Sequence, residues 1–260
     1  MAAPTPPEQA TMRFADRVGD YVRCRPGYPP EVIAGLVERH GLRPEHAVAD
    51  VGSGTGIWTE CLLRHGHRVH AVEPNEPMRA AAERRLGSDP RFISIAGTAE
   101  ATTLPDASVD WVTAAQAFHW FDPPRCRAEF RRILSSPAGL VVLIWNNRRE
   151  DTPFLAAYEQ LLQAHGTDYA AVKHERVEKD GSLERLFGGS HYARHVFANT
   201  QEFDYAGLEG RTLSASYTPR EGDPRRSALL AELRRVFDEH GQAGRVQVLY
   251  ETRVYVGPLR

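Results

Sequence analysis

Cysteine is scarce in this chain, and no two cysteines stand close together. Cys24, Cys61 and Cys126 form no CxxC pair, which excludes the common zinc and dithiol motifs. A sparse, odd count fits a reducing compartment in which free thiols are simply buried. Long hydrophobic runs are missing too: no stretch reaches the roughly 20 apolar residues of a membrane-crossing helix. The Pro- and Ala-rich start lacks the apolar segment of a signal peptide, so residues 1–11 read as a disordered lead-in and the expected location is cytoplasmic. Charge of one sign is lacking as well. There are 32 Lys and Arg against 34 Asp and Glu, a formal net charge of -2. The arginine pairs, from Arg84-Arg85 to Arg234-Arg235, are scattered and form no basic run. Nucleic acid and membrane surfaces are therefore not the expected partners. No G-x-S-x-G nucleophile turn is present.

What is present suits one sizeable domain: 260 residues, 42% hydrophobic and 25% charged, ordinary values for a globular chain. From about residue 45 to 146, short apolar runs alternate with amphipathic segments. Strands are expected at 46–51, 68–72, 92–95, 109–115 and 140–145. Helices are expected at 57–65, 75–86 and 123–134, the last with proline at its start. Strict alternation of strand and helix predicts a parallel sheet covered on both faces. Helices are also expected at 14–22, 29–40 and 153–165. Leu229, Leu230, Leu233, Val236 and Phe237 stripe a further one. Val246, Val248 and Tyr250 begin a late strand running towards Val256. Residues 166–190 show no period, and about 150–222 reads as an insertion capping the site.

The segment that carries chemistry is Val48-Ala-Asp50-Val-Gly52-Ser53-Gly54-Thr-Gly56, between a strand and a helix. Glycines there let the backbone turn sharply beside a ligand, and the helix start offers free N–H donors. The dinucleotide fingerprint G-x-G-x-x-G would need glycine at position 57, which is Ile57. Asp50, two residues before the first glycine, would repel a pyrophosphate and suit a cation. Glu73 closes the second strand, about 20 residues past the glycines, where nucleotide-binding α/β folds place an acid on the ribose hydroxyls.

These residues resemble motif I of the class I S-adenosylmethionine (SAM)-dependent methyltransferases. Further likenesses are Gly97-Thr-Ala-Glu100 with Leu104-Pro105, Val109-Asp110, and Gln116-Ala-Phe-His119-Trp120-Phe121. Tyr21-Val-Arg-Cys-Arg25-Pro-Gly-Tyr28-Pro29 and Trp145-Asn146-Asn-Arg148 are similar to a subgroup that includes the trans-aconitate and cantharidin methyltransferases. The resemblance spans residues 12–258, read as a single domain. It implies a Rossmann-like α/β fold: a mostly parallel seven-stranded sheet, helices on both faces, an antiparallel last strand and a helical cap.

The resemblance also implies roles. Asp50, Gly52, Ser53, Gly54 and Gly56 would hold the methionine part of SAM, Glu73 the ribose, and Pro74, Met78, Thr98 and Ala99 the adenine. Many relatives carry Asp where this chain has Thr98. Gln116 would line the methionine pocket, and Tyr21 and Arg25 would close over the cofactor. His119 is the candidate base; Tyr28, Trp120, Trp145 and Arg148 are candidates for the substrate side. The expected reaction is methylation of a small molecule, at a carboxylate or hydroxyl oxygen, by a monomer or homodimer. C- or N-methylation, an NAD(P)-dependent oxidoreductase and a SAM-binding protein without turnover stay as alternatives. A nucleic-acid methyltransferase is disfavoured, since no N-P-P-Y or D-P-P-Y follows the fourth strand. No metal is expected: His65, His67 and His70 straddle a helix end and a strand.

Overall fold

The computed structural model describes residues 25–167, 169, 177–215 and 217–260. The expected lead-in, the helix at 14–22 and Tyr21 lie outside them. Helix α1 (Pro30–His40) precedes β1 (Ala47–Val51), α2 (Ile57–Arg64), β2 (Arg68–Val72), α3 (Glu76–Leu86), β3 (Phe92–Ile95) and β4 (Trp111–Ala115). A 3-10 turn (Phe118–Trp120), α4 (Pro123–Ile133) and β5 (Leu140–Arg148) follow. Then come α5 (Pro153–His165), α6 (Ser182–Phe187), β6 (Ala193–Phe203), α7 (Tyr205–Leu213), α8 (Arg225–His240) and β7 (Val246–Pro258).

The seven strands form one sheet in the order β3-β2-β1-β4-β5-β7-β6. β1 to β5 pair in parallel, and β7 runs antiparallel to both β5 and β6. The expected seven-stranded sheet with its antiparallel last strand is present.

Strand alternation sends successive β5 residues to opposite faces. Val141, Leu143 and Trp145 join Phe130, Ile133, Leu183 and Phe187 under α4 and α6. Val142 and Ile144 join Val32, Leu36, Trp58 and Leu62 under α1 and α2. Both faces of β5 are thus apolar, as the middle of a parallel sheet requires. A third cluster unites α5, α7 and α8 over the first half of β7, through Leu155, Tyr158, Leu229, Leu233, Val248 and Tyr250.

The stretch 150–222, expected as a cap, supplies β6 to the sheet. That strand is an edge, and its inward positions include His195, Asn199 and Gln201, half-buried rather than buried. Edge strands bury little and keep polar side chains, so no apolar alternation marks it. From β1 the chain winds outward through β2 and β3, then returns to place β4 on the other side of β1. Open α/β sheets bind ligands at this reversal, beyond the carboxyl ends of the strands.

Candidate functional site

β1 ends in Asp50 and Val51, both fully buried. The chain then turns through Gly52, Gly54 and Gly56, with φ of 70°, 57° and 81°. At Gly52 the need for glycine is steric as well as conformational. A Cβ there would lie 2.6 Å from the Cβ of Ala117, far inside contact distance. The N–H groups of Gly52 and Ser53 both donate to the Val72 carbonyl, at 2.8 and 3.1 Å, which ties the turn to the end of β2.

Glu73 braces the same turn from the β2 side. Gly54 N–H donates to Glu73 Oε2 at 2.8 Å, and Asn75 N–H to Oε1 at 2.9 Å. Asn75 in turn caps α3, its Oδ1 accepting from Met78 N–H. Each carboxylate oxygen keeps a second lone pair for a ligand hydroxyl. Burial raises the Glu73 pKa, against the hydrogen bonds from Asn75 and Gly54.

Asp50 faces α2. Thr59 Oγ1 donates to its Oδ2 at 2.6 Å and Thr113 Oγ1 to its Oδ1 at 3.3 Å. Burial pushes its pKa up to about 7, the threonine hydrogen bonds opposing and the Glu73 charge adding. Two buried acids beside one turn favour a cation next to them.

A cleft opens above this turn, lined by Tyr28, Asp50, Gly52, Ser53, Gly54, Thr55, Trp58 and Gln116, among others. Two of its polar atoms, Thr55 Oγ1 and Trp58 Nε1, are buried without a hydrogen-bond partner among the described residues. Buried polar groups are nearly always paired, and these two face the cleft, which makes them candidate ligand contacts. Gln116 adopts φ of 57° at the end of β4, an uncommon conformation for a non-glycine residue and one that clusters at functional sites. Its Nε2 donates to the Asn146 carbonyl at 3.4 Å.

Of the residues singled out in the sequence, Asp50, Gly52, Ser53, Gly54, Gln116 and Tyr28 meet at this cleft. Tyr28, expected on the substrate side, packs edge-on against Trp58 at 5.2 Å. Gly56 closes the turn as the residue before α2, and Met78 is buried beside Gly54. Pro74 and Thr98 are exposed and Ala99 is buried in the core; none of the three lines the cleft. Arg25 Nη2 donates to the Ser214 carbonyl at 3.0 Å, pinning the first described residues to the end of α7.

The substrate-side candidates separate. Trp145 is buried between Phe118 and Tyr255. Trp120 is half-buried beside His119, ring centroids 4.9 Å apart. Arg148 is turned into the protein, where its Nη2 donates to Glu159 and to Tyr169. His119 lies on the 3-10 turn just past Gln116, and Trp145 Nε1–H donates to its Nδ1 at 3.5 Å.

Thr55, Trp58, Thr59 and Thr113 escaped the sequence reading. Trp58 and Thr59 look like core positions of α2, and Thr113 like a mid-strand residue. Only packing of α2 and β4 onto β1 brings them to Asp50. Thr55 alone carried a signal, being inside the glycine turn. The described residues contain no group of three or more side chains suited to a metal ion and no helix long and apolar enough to cross a membrane.

The comparisons with known proteins agree with this geometry. A family model described as a methyltransferase domain matches residues 49–143. An uncharacterized methyltransferase of Mycobacterium tuberculosis is 41% identical over 140 residues, 54% of this chain and 54% of that protein. The chain thus spans about half the length of such curated relatives. The solved structure of a candidate type II methyltransferase from Anaeromyxobacter dehalogenans matches with a TM-score of 0.67 at 25% identity, over 90% of this chain and 98% of that one. Haemonchus contortus phosphoethanolamine N-methyltransferase 2, solved with S-adenosylhomocysteine and phosphomonomethylethanolamine, shares the fold: TM-score 0.53, 15% identity, 99% of this chain and 60% of that one. Strand order and relatives together show that residues 49–143 are a methyltransferase domain, set in the sheet topology of the class I methyltransferase fold.

Proposed function

We propose that this chain transfers a methyl group from SAM to an oxygen atom of a small-molecule acceptor. The observation that carries the reading is the cleft above the glycine turn, walled by buried Asp50, braced by Glu73 and holding two unpartnered buried donors. When bound, SAM supplies a methyl group already activated by its sulfonium charge. The protein's own task is then alignment and exclusion of water, which can contribute several kcal/mol, up to roughly 7–11 in favourable cases.

The Asp50 charge favours a cationic ligand over a phosphate. Glu73 has lone pairs left for ribose hydroxyls. Thr55 and Trp58 offer donors to a carboxylate. His119 lies just past the carboxyl end of β4, three residues beyond Gln116 of the cleft. An indole N–H can only donate, so the Trp145 contact marks His119 Nδ1 as the acceptor nitrogen. With Nδ1 accepting, the ring serves an acceptor oxygen as a donor rather than as a base. That arrangement suits a carboxylate acceptor, which needs no base.

The test is a radiolabelled methyl-transfer assay over a panel of small carboxylic acids, alcohols and amines. The proposal expects label in an ester or ether. Label appearing only in N- or C-methyl products contradicts oxygen transfer. On the substrate so found, His119→Ala should lower kcat by about tenfold to a hundredfold, less than the loss of a full general base. Affinity for S-adenosylhomocysteine should stay within about twofold. An unchanged kcat removes His119 from the reaction.

A further inference from the structure

We infer that the guanidinium of Arg211, buried over the ends of β5 and β7, is a recognition site for a carboxylate on the methyl acceptor. The inference rests on the methyltransferase reading above and names its substrate class. Arg211 projects from α7 and is 6% exposed. Its Nε donates to Tyr250 Oη at 3.3 Å, and that hydroxyl donates to Gln201 Oε1 at 2.8 Å. Its Nη1 is buried with no hydrogen-bond partner, and Arg211 forms no ion pair among the described residues.

The neighbouring charges do not neutralise it. Tyr250 stands opposite Arg148 in the β5–β7 ladder. Arg148 is also buried and lies 4.9 Å over the Tyr158 ring, but it has its own acid, Glu159. Among these three charged groups, one buried positive charge is therefore unmatched. A buried guanidinium without an anion is a strongly unfavourable arrangement, and replacing such charges by apolar side chains is often stabilising. A protein that keeps one gains when an anion arrives. A single excess charge with a planar fork of donors matches a carboxylate, a planar monoanion, better than a phosphate dianion.

The position fits an acceptor rather than the cofactor's nucleoside. Arg148 ends β5, two residues past Asn146, whose carbonyl accepts from Gln116 of the cleft. Asn146 Nδ2 also donates to the Gly27 carbonyl, next to Tyr28. The Arg211 cluster therefore sits at the carboxyl end of β5, next to β4 and its cleft residue Gln116, whereas the glycine turn follows β1 on the other side of β4.

The experiment compares the wild-type chain with Arg211→Met and Tyr250→Phe, each saturated with S-adenosylhomocysteine. Thermal unfolding is followed with added mono-, di- and tricarboxylic acids and, separately, inorganic phosphate, at matched ionic strength. At least one carboxylate should raise the wild-type Tm by several degrees and leave Arg211→Met unmoved. Tyr250→Phe, which frees the guanidinium to swing and also releases Gln201, should need about ten times more of the same acid. Without added acid, Arg211→Met should melt no lower than wild type. S-adenosylhomocysteine affinity, measured by calorimetry, should be unchanged in both variants.

Four results overturn the inference: no carboxylate stabilises the wild type; phosphate does so equally well; Arg211→Met unfolds or melts several degrees lower, which means a structural role; or the substitution costs S-adenosylhomocysteine affinity, which places the guanidinium on the cofactor. Failure of the wild type to bind S-adenosylhomocysteine at all is a separate result, and it sinks the methyltransferase reading itself.

Discussion

Asp50→Asn is expected to stabilise the cofactor-free chain above neutral pH and to weaken SAM binding by at least about tenfold, that is about 1.4 kcal/mol. Both effects come from one buried charge. The Asp50 carboxyl titrates near pH 7 instead of 3.8, because burial opposes ionisation more than the Thr59 and Thr113 hydroxyls assist it. A carboxyl with a raised folded-state pKa gives stability that is complete below its unfolded pKa and is lost as pH rises through the folded value. The variant and the wild type should therefore unfold alike near pH 4. The variant should gain from about pH 4 to 7 and then keep a constant advantage. Three pKa units set a ceiling of about 4 kcal/mol. Asparagine still accepts from Thr59 and meets Thr113, so about 1–3 kcal/mol is expected. Denaturant unfolding at pH 4, 6 and 8 measures it, and a variant less stable than wild type at pH 8 contradicts the account. Wild-type affinity for SAM should rise with pH up to about 7 and level off, and the variant should show no such rise.

Gly52→Ala should cost more than any other single methyl group added to this loop. The residue sits at φ of 70°, and the new Cβ would meet Ala117 at 2.6 Å and Phe121 at 3.1 Å. The left-handed backbone costs about 1–2 kcal/mol for an L-residue, and overpacking adds about 1–3. Together they predict a loss of about 2–5 kcal/mol. Ala117 leads into the turn that carries His119, so relief of the clash disturbs both walls of the cleft, and S-adenosylhomocysteine binding should disappear. Gly54→Ala is the control. It shares the left-handed backbone, but its nearest neighbour would be Met78 Sδ at 3.5 Å, an ordinary contact. It should lose only about 1–2 kcal/mol. Equal losses in the two variants would contradict the steric reading of Gly52.

The sequence made the β1–β5 half of the sheet legible because buried parallel strands are continuous apolar runs. Leu140–Trp145 is the plainest case, and β5 overshoots it only by the polar Asn146, Asn147 and Arg148. β6 and α7 were not legible. One is an edge strand with His, Asn and Gln on its inner side; the other is nine residues with two glycines. In the site, Asp50, the glycines and Glu73 could be read because chain geometry fixes a strand–turn–helix–strand unit and so fixes their spacing. Thr59 and Thr113 could not, since they reach Asp50 only through packing across three elements. Arg148 was expected to face substrate. Its pairing with Glu159 depends on how α5 packs against the end of β5, which no local pattern encodes. Arg211 gave no signal for the same reason.

Isothermal titration of the folded chain with S-adenosylhomocysteine, SAM, NADH and NADPH tests the central claim most directly: an acid-walled glycine turn selects a positively charged nucleoside over a pyrophosphate. The account predicts saturable binding of SAM and S-adenosylhomocysteine, loss of both on Gly52→Ala, and no heat from either nicotinamide cofactor. Binding of NADH or NADPH without SAM or S-adenosylhomocysteine would contradict it.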